Sequence, residues 1–198
     1  MKKIQYYILT KSIGLYLNTL SYINLDAAKN KAYQLFSQPR KGKIQKEKLP
    51  KTLQNVTYET FEFQTEKFQS YIWNGTRGEA KRSEANEEVI LLVHGWESNA
   101  FRWRKFIEVL RPLNYHIIAL DAPAHGASSG KVLHVPLYQK IAAGLMERFR
   151  PQFAVGHSMG GMMLLYHQHL GGTESLKGLV VLGAPADLNN IMKQFSMI

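Results

Sequence analysis

The chain of 198 residues contains no cysteine. That absence excludes a disulfide scaffold, a thiolate metal site and a cysteine nucleophile. Long hydrophobic runs are missing too, since no stretch reaches the roughly 18–20 uninterrupted apolar residues that a bilayer span needs. The apolar run that begins at Ile4 is broken by Lys11, and no small-residue cleavage site follows it. We therefore expect an amphipathic helix in residues 1–25 rather than a signal peptide.

Acidic residues are scarce in the first quarter of the chain. Residues 1–51 hold 11 basic side chains against Asp26 and Glu47, a net charge of +9 out of +10, which leaves +1 for residues 52–198. Because a nucleic-acid-binding domain would not concentrate its charge in this way, we expect no nucleic-acid partner. We predict a basic helical leader and connector over residues 1–51 and a main domain over residues 52–198. The leader helices either pack on the main domain or lie on an anionic membrane surface.

Apolar runs and helical patterns alternate through the main domain. Two half-buried strands, residues 56–63 and 68–73, come first, and four short apolar runs follow at 89–93, 117–120, 153–155 and 179–182. Helical patterns separate these runs from one another. A continuous apolar run is typical of a strand that helices cover on both faces. The pattern therefore predicts the α/β class, with a mostly parallel sheet flanked by helices.

The segment Gly156-His157-Ser158-Met159-Gly160 lies between the third apolar run and a helical pattern. A serine on a sharp strand-to-helix turn projects its hydroxyl away from the backbone, and only small residues fit two positions before and after it. The helix that begins there would direct its first N–H groups toward the site, so the Met159 N–H is a candidate oxyanion donor. We predict a nucleophile elbow with Ser158 as the nucleophile. An ordinary glycine-rich turn is the alternative.

Two more clusters follow neighbouring apolar runs. In His94-Gly95-Trp96, Gly95 would let the backbone approach a substrate and Trp96 would offer a second N–H donor. We interpret His94 as a histidine that fixes this loop, not as a base. Residues 121–130 form a rigid turn whose Asp121 and His125 precede Ser158, and we expect them to anchor the loop. No cluster predicts a metal site.

Together these motifs resemble the α/β-hydrolase superfamily, from about residue 56 to the end of the chain. Residues 35–42 also resemble bacterial members that carry a helical leader. The resemblance implies an α/β-hydrolase fold and a serine-dependent hydrolase of an ester, thioester or amide that forms an acyl-enzyme on Ser158. It implies an oxyanion hole from the Trp96 and Met159 backbone amides, a small-molecule acyl substrate and no cofactor. Serine at the elbow argues against the branch of the family that uses an aspartate nucleophile.

The family order is nucleophile, acid, then histidine, and the sequence departs from it. His167 and His169 fall on the helix that leaves the elbow, roughly 13–17 Å along its axis from Ser158, too far to accept its proton. Asp187 is the only aspartate after Ser158, and no histidine follows it. We expect an incomplete hydrolase fold without its acid and base, nearly inactive and poorly soluble in this form.

The alternative function is a non-catalytic membrane-associated or lipid-binding module. It would use the basic leader and the apolar crevice above the elbow. In either case we expect a cytoplasmic protein, peripheral to the membrane if the leader binds lipid.

Overall fold

The computed structural model describes residues 3–54, 56–73 and 88–185. Contacts divide the chain into two units, Met1–Gln38 and Pro39–Ile198. The first unit contains the helices α1 (Lys3–Ile23) and α2 (Leu25–Ser37). The Asn24 side chain caps α2 by accepting a hydrogen bond from the Ala27 N–H at 2.9 Å. Over the described residues, no helix is both long and apolar enough to cross a bilayer.

The second unit is built on one mixed sheet with helices on both faces. Its described strands are β1 (Thr57–Phe63), β2 (Glu66–Trp73), β3 (Val89–Val93), β4 (His116–Leu120), β5 (Phe153–His157) and β6 (Gly178–Leu182). Its described α-helices are α3 (Lys51–Gln54), α4 (Arg104–Leu110), α5 (Val135–Phe149) and α6 (Met159–His169). Short 3-10 helices lie at Lys46–Lys48, Ala100–Trp103 and Arg111–Leu113.

The strand order is β1-β2-β4-β3-β5-β6. The β1–β2 and β2–β4 pairs are antiparallel, whereas β3, β4, β5 and β6 run parallel to one another. The chain passes from β3 to β4 on one side and later returns to β5 on the other side of β3. The loops that follow β3 and β5 therefore diverge at the carboxyl ends of adjacent strands, which is where ligands bind in open α/β sheets.

The hydrophobic core has two parts, one on each face of the sheet. Leu91 and Val93 pack with side chains of α5 and α6, while Ile90 and Leu92 pack with Trp103 and side chains of α4. Successive residues of a strand point to opposite faces, so a strand covered on both sides must be apolar throughout. This explains why the central strands read as unbroken apolar runs.

The predicted α/β class, the mostly parallel sheet and the helical N-terminus are confirmed. The helical pattern between β3 and β4 forms a 3-10 turn, Ala100–Trp103, followed by α4. Residues 74–87, between β2 and β3, and the segment from Asp187 onward lie outside the described residues.

The contacts divide the chain before Pro39, earlier than the boundary predicted after residue 51. The connector runs along the second unit: the Ile44 N–H donates to the Gly126 carbonyl at 2.9 Å, and the Gly126 N–H donates to the Gly42 carbonyl at 2.7 Å. These backbone bonds hold part of the connector in place.

Candidate active site

Ser158 occupies the bend between β5 and α6, with φ 52° and ψ −121°. A positive φ is uncommon for a residue with a side chain and persists only where the surroundings hold it. Here the Ser158 N–H donates to the Leu182 carbonyl of β6 at 2.9 Å, and the Ser158 carbonyl accepts from the Met162 N–H at 3.0 Å. The strand-turn-helix geometry at this serine is therefore fixed from both sides.

Two positions beside this bend have no room for a side chain, and glycine occupies both of them. A Cβ on Gly156 would lie 2.7 Å from the Gly161 Cα, on the first turn of α6. A Cβ on Gly160 would lie 2.5 Å from the Val93 carbonyl oxygen, at the end of β3. Both separations are shorter than real contacts allow, so the start of α6 can pack on β3 and β5 only with glycine at both positions.

Gly95, in the loop after β3, lies directly against the bend. A Cβ at this position would be 2.7 Å from the Ser158 Cβ, 2.8 Å from the His157 carbonyl oxygen and 3.2 Å from the Met159 nitrogen. Trp96 is the next residue after Gly95, and Met159 is the first residue of α6. N–H groups in the first turn of a helix have no intrahelical acceptor. The two backbone segments that carry the Trp96 and Met159 amides are therefore neighbours beside Ser158.

His94 is fully buried and bridges two loops. Its Nε2 accepts a hydrogen bond from the Ala122 N–H at 2.9 Å, so the proton resides on Nδ1, which donates to the Gly95 carbonyl at 2.8 Å. Burial lowers the pKa of His94 to about 3. Although its Nε2 lies 3.9 Å from an Asp121 oxygen, the ring is neutral and the pair is not a salt bridge. This bridge fixes the backbone at Gly95.

His125 holds the same loop from the other side. Its Nε2 accepts from the Glu97 N–H at 2.9 Å, and its Nδ1 donates to the Pro123 carbonyl at 2.8 Å. Its ring meets the Trp96 ring edge-on, with centroids 5.7 Å apart. His94 and His125 thus fix the positions on both sides of the Trp96 amide.

Asp121 anchors the loop after β4. Its buried carboxylate accepts hydrogen bonds from the Ala100 N–H at 2.8 Å, the Ala127 N–H at 2.9 Å and the Tyr71 hydroxyl at 3.1 Å. Burial raises the pKa of Asp121 to about 6, against the opposing effect of these bonds and of the Lys43 charge. The sequence did not indicate that Tyr71 and Lys43 belong to this network. Tyr71 fits the apolar pattern of β2, and Lys43 fits the basic connector.

The remaining sequence-predicted residue, His157, ends β5, and its Nδ1 is buried without a hydrogen-bond partner among the described residues. His167 lies farther along α6, between the Gln139 Nε2 at 3.1 Å and the Thr173 hydroxyl at 2.8 Å. Within residues 3–54, 56–73 and 88–185, no group of three His, Asp or Glu side chains could hold a metal ion.

The geometry offers a serine on a strained bend, beside the backbone segments that carry the Trp96 and Met159 amides. His94, His125 and the buried Asp121 carboxylate hold the loops after β3 and β4. This is an arrangement that can receive a carbonyl group and stabilise negative charge on its oxygen.

Curated relatives match part of the chain. An uncharacterized hydrolase of Bacillus subtilis (strain 168), YugF, is 41% identical over 83 residues, which cover 39% of this chain and 30% of that protein. The pimeloyl-(acyl-carrier protein) methyl ester esterase of Vibrio vulnificus (strain YJ016) is 34% identical over 83 residues, which cover 39% of this chain and 31% of that protein. The chain spans less than half the length of the curated relatives that it matches.

Solved structures share the fold. A thioesterase domain from the curacin biosynthetic pathway superposes with a TM-score of 0.55 at 19% identity, covering 71% of this chain and 52% of that one. An epoxide hydrolase from Vigna radiata gives a TM-score of 0.55 at 18% identity, covering 72% of this chain and 47% of that one. The family model described as "Alpha/beta hydrolase family" matches residues 90–196, more than half of the chain. From this match and the shared fold, we conclude that the chain belongs to the alpha/beta hydrolase family.

Proposed function

We propose that this chain carries the nucleophile and the oxyanion site of a serine-dependent hydrolase of an ester, thioester or amide. The single observation that supports it most is the bend at Ser158, where a positive φ coincides with a neighbouring Gly95 that has no room for a Cβ. The Vibrio vulnificus esterase, a relative whose name states an ester substrate, favours the ester class.

In this proposal the Ser158 Oγ attacks the acyl carbonyl carbon, and a general base takes the hydroxyl proton. The carbonyl oxygen becomes an oxyanion that accepts hydrogen bonds from the Trp96 and Met159 N–H groups. Collapse of the tetrahedral intermediate breaks the bond to the leaving group, which takes up a proton, and leaves an acyl-enzyme on Ser158. Water then attacks the acyl-enzyme, releases the acid and returns the proton to the serine.

We infer that the described residues lack the general base. His94, His125 and His167 each have both ring nitrogens hydrogen-bonded within the fold. His157 precedes Ser158 at the end of β5, and its buried Nδ1 has no hydrogen-bond partner among the described residues, the Ser158 hydroxyl included. We therefore propose that the 198-residue chain can be modified at Ser158 but turns over slowly, since loss of a triad member leaves only about 10³–10⁴-fold catalysis over water.

Covalent labelling tests this proposal. The chain is treated with a fluorophosphonate probe, and the modified peptide is identified by mass spectrometry. We expect slow labelling of Ser158, because no general base activates its hydroxyl among the described residues. We expect no label after Ser158→Ala and unchanged labelling after Ser12→Ala, because Ser12 is an exposed serine of α1. Labelling that persists in Ser158→Ala would refute the nucleophile assignment. Rapid, Ser158-dependent turnover of a p-nitrophenyl ester would refute only the absence of a base.

A further inference from the structure

Helix α1 carries two apolar stripes. The inner stripe is half-buried and includes Thr10, Ile13, Leu17 and Leu20, which recur three or four residues apart. Residues at that spacing lie on one side of a helix. Because α1 contacts α2, we assign this side to the packing of the two helices.

The outer stripe consists of Ile4, Ile8, Leu15 and Tyr22, which also recur at intervals of four and seven residues. These side chains are 73%, 58%, 70% and 92% exposed. A helix that packs on one side only should carry polar residues on the other. The second stripe is therefore not needed for the packing of α1 on α2, and contiguous exposed apolar surface of this kind marks an interaction site.

Positive charge accompanies the outer stripe. Lys11 falls between Ile8 and Leu15 on the same side of the helix, and its ammonium lies 5.5 Å from the centroid of the exposed Tyr7 ring. Helix α1 contains no Asp or Glu. The acidic residue at the start of α2, Asp26, is 3.5 Å from the Lys29 ammonium. The surface around the stripe is thus apolar, aromatic and basic, without acidic residues in α1.

This combination matches the chemistry of an anionic bilayer surface. Ile and Leu side chains enter the acyl region, Tyr rings lie at headgroup depth, and Lys stems extend so that their ammonium groups meet lipid phosphates. A second copy of the chain would instead bring another lysine-bearing, acid-free stripe against the first. We propose that α1 lies flat on a membrane that contains anionic phospholipid, in contact through its outer stripe.

Vesicle flotation tests the proposal with the 198-residue chain. Bound protein rises with vesicles through a density gradient, whereas aggregated protein sinks. We compare vesicles of phosphatidylcholine alone with vesicles of phosphatidylcholine and phosphatidylglycerol. The test variant is Ile8→Glu with Leu15→Glu. The matched control is Val109→Glu with Leu113→Glu, which makes the same charge change at two apolar residues that are 66% and 62% exposed in the second unit.

We expect the unmodified chain to bind the anionic vesicles about tenfold more strongly than the neutral ones. The test variant should bind the anionic vesicles about tenfold more weakly than the unmodified chain, whereas the control should bind them as strongly as the unmodified chain. Circular dichroism shows whether the variants keep their helices. The single change Lys11→Glu tests separately how much the positive charge contributes to binding. Raising the salt concentration should weaken binding, because salt screens the attraction between positive side chains and anionic lipid.

Three results would overturn the proposal. The first is absence of the unmodified chain from the floated fraction. The second is equal loss of binding in test and control variants. The third is a lipid-independent dimer, detected by sedimentation equilibrium, that the test variant dissociates, since it would show that the outer stripe joins two copies.

Discussion

At the scale of single residues, Gly95 controls the distance between the loop after β3 and the bend at Ser158. A Cβ at this position would meet Ser158, and the backbone of His157 and Met159 lies on the same side. A methyl group there must push the two loops apart. The separation between the Trp96 and Met159 amides therefore depends on the absence of a side chain at Gly95.

We predict that Gly95→Ala lowers fluorophosphonate labelling of Ser158 at least about tenfold, because misplaced oxyanion donors cost this much or more. The same change should destabilise the fold by about 1–3 kcal/mol through overpacking. Gly144→Ala is the matched control: it lies in α5 with open space at the Cβ position, and it should stabilise the helix by about 0.5–1 kcal/mol. Labelling rate and urea unfolding report the two effects, and normal labelling of Gly95→Ala would contradict the contact.

At the scale of elements, the loops after β3 and β4 form one assembly. His94 and His125 link the two loops through backbone groups, and Asp121 links the second loop to β2 and to the 3-10 turn at Ala100–Trp103. The groups that hold this assembly are titratable but buried. Its stability must therefore depend on pH.

We predict that the free energy of unfolding decreases as pH falls below 6.5. The pKa of His94 is about 3 in the folded chain against 6.5 in the unfolded chain, so acid favours the unfolded chain between these values, by about 1.4 kcal/mol per pH unit. Asp121 acts in the opposite sense between about 6 and 3.8, because its pKa is raised on folding. Burial also lowers the pKa of His125, which adds to the loss in acid.

Urea unfolding at pH 7.5, 6.5 and 5.5 checks this dependence. His94→Asn should be less stable at every pH but should show a shallower decline in acid. His169→Asn, at an exposed position of α6, should leave the decline unchanged. Stability that does not change between pH 7.5 and 5.5 would contradict the neutral state of the buried histidines.

The strands and the bend could be predicted from the sequence wherever a pattern in neighbouring residues determines the local structure. The run at 89–93 is apolar because both faces of β3 are buried, and the spacing of Gly156 and Gly160 around Ser158 follows from local crowding. The sequence led us to expect that Asp121 anchors its loop, but its partners Tyr71 and Lys43 could not be predicted. Tyr71 looks like any apolar-face residue of β2, and Lys43 like any residue of a basic loop, because only the folded chain brings them together.

The position of the connector escaped prediction for the same reason. Its attachment to Gly126 uses backbone groups, which leave no mark on residue type. The one available signal was Ile44, an apolar residue within a basic run, which packs against the core on the α4 face.

At the scale of the whole molecule, β6 is an edge strand of the described sheet. It pairs with β5 alone among the described strands, and its residues are half-buried or exposed, in contrast to β3 and β4. Val180 is 49% exposed. An apolar, partly uncovered edge strand is a site for unwanted pairing between chains.

We predict that Val180→Lys increases the soluble fraction of the expressed chain, because a charged side chain on an edge strand opposes pairing. Val109→Lys adds the same charge at an exposed apolar position of α4 and should have a smaller effect. The soluble fraction after centrifugation and the monomer peak in gel filtration measure both. An equal gain from the two variants would assign the effect to net charge rather than to the β6 edge.

The hydrogen bond from the Ser158 N–H to the Leu182 carbonyl has a consequence for synthesis. On the ribosome, the serine leaves the exit tunnel before the strand that supplies its acceptor. Until β6 emerges, the nascent chain has no means of holding the bend by this bond, and the peptide at Ser158 can relax to ordinary dihedral angles. The bend at Ser158 is therefore held by this bond only after β6 has been made, later than the residue that forms the bend.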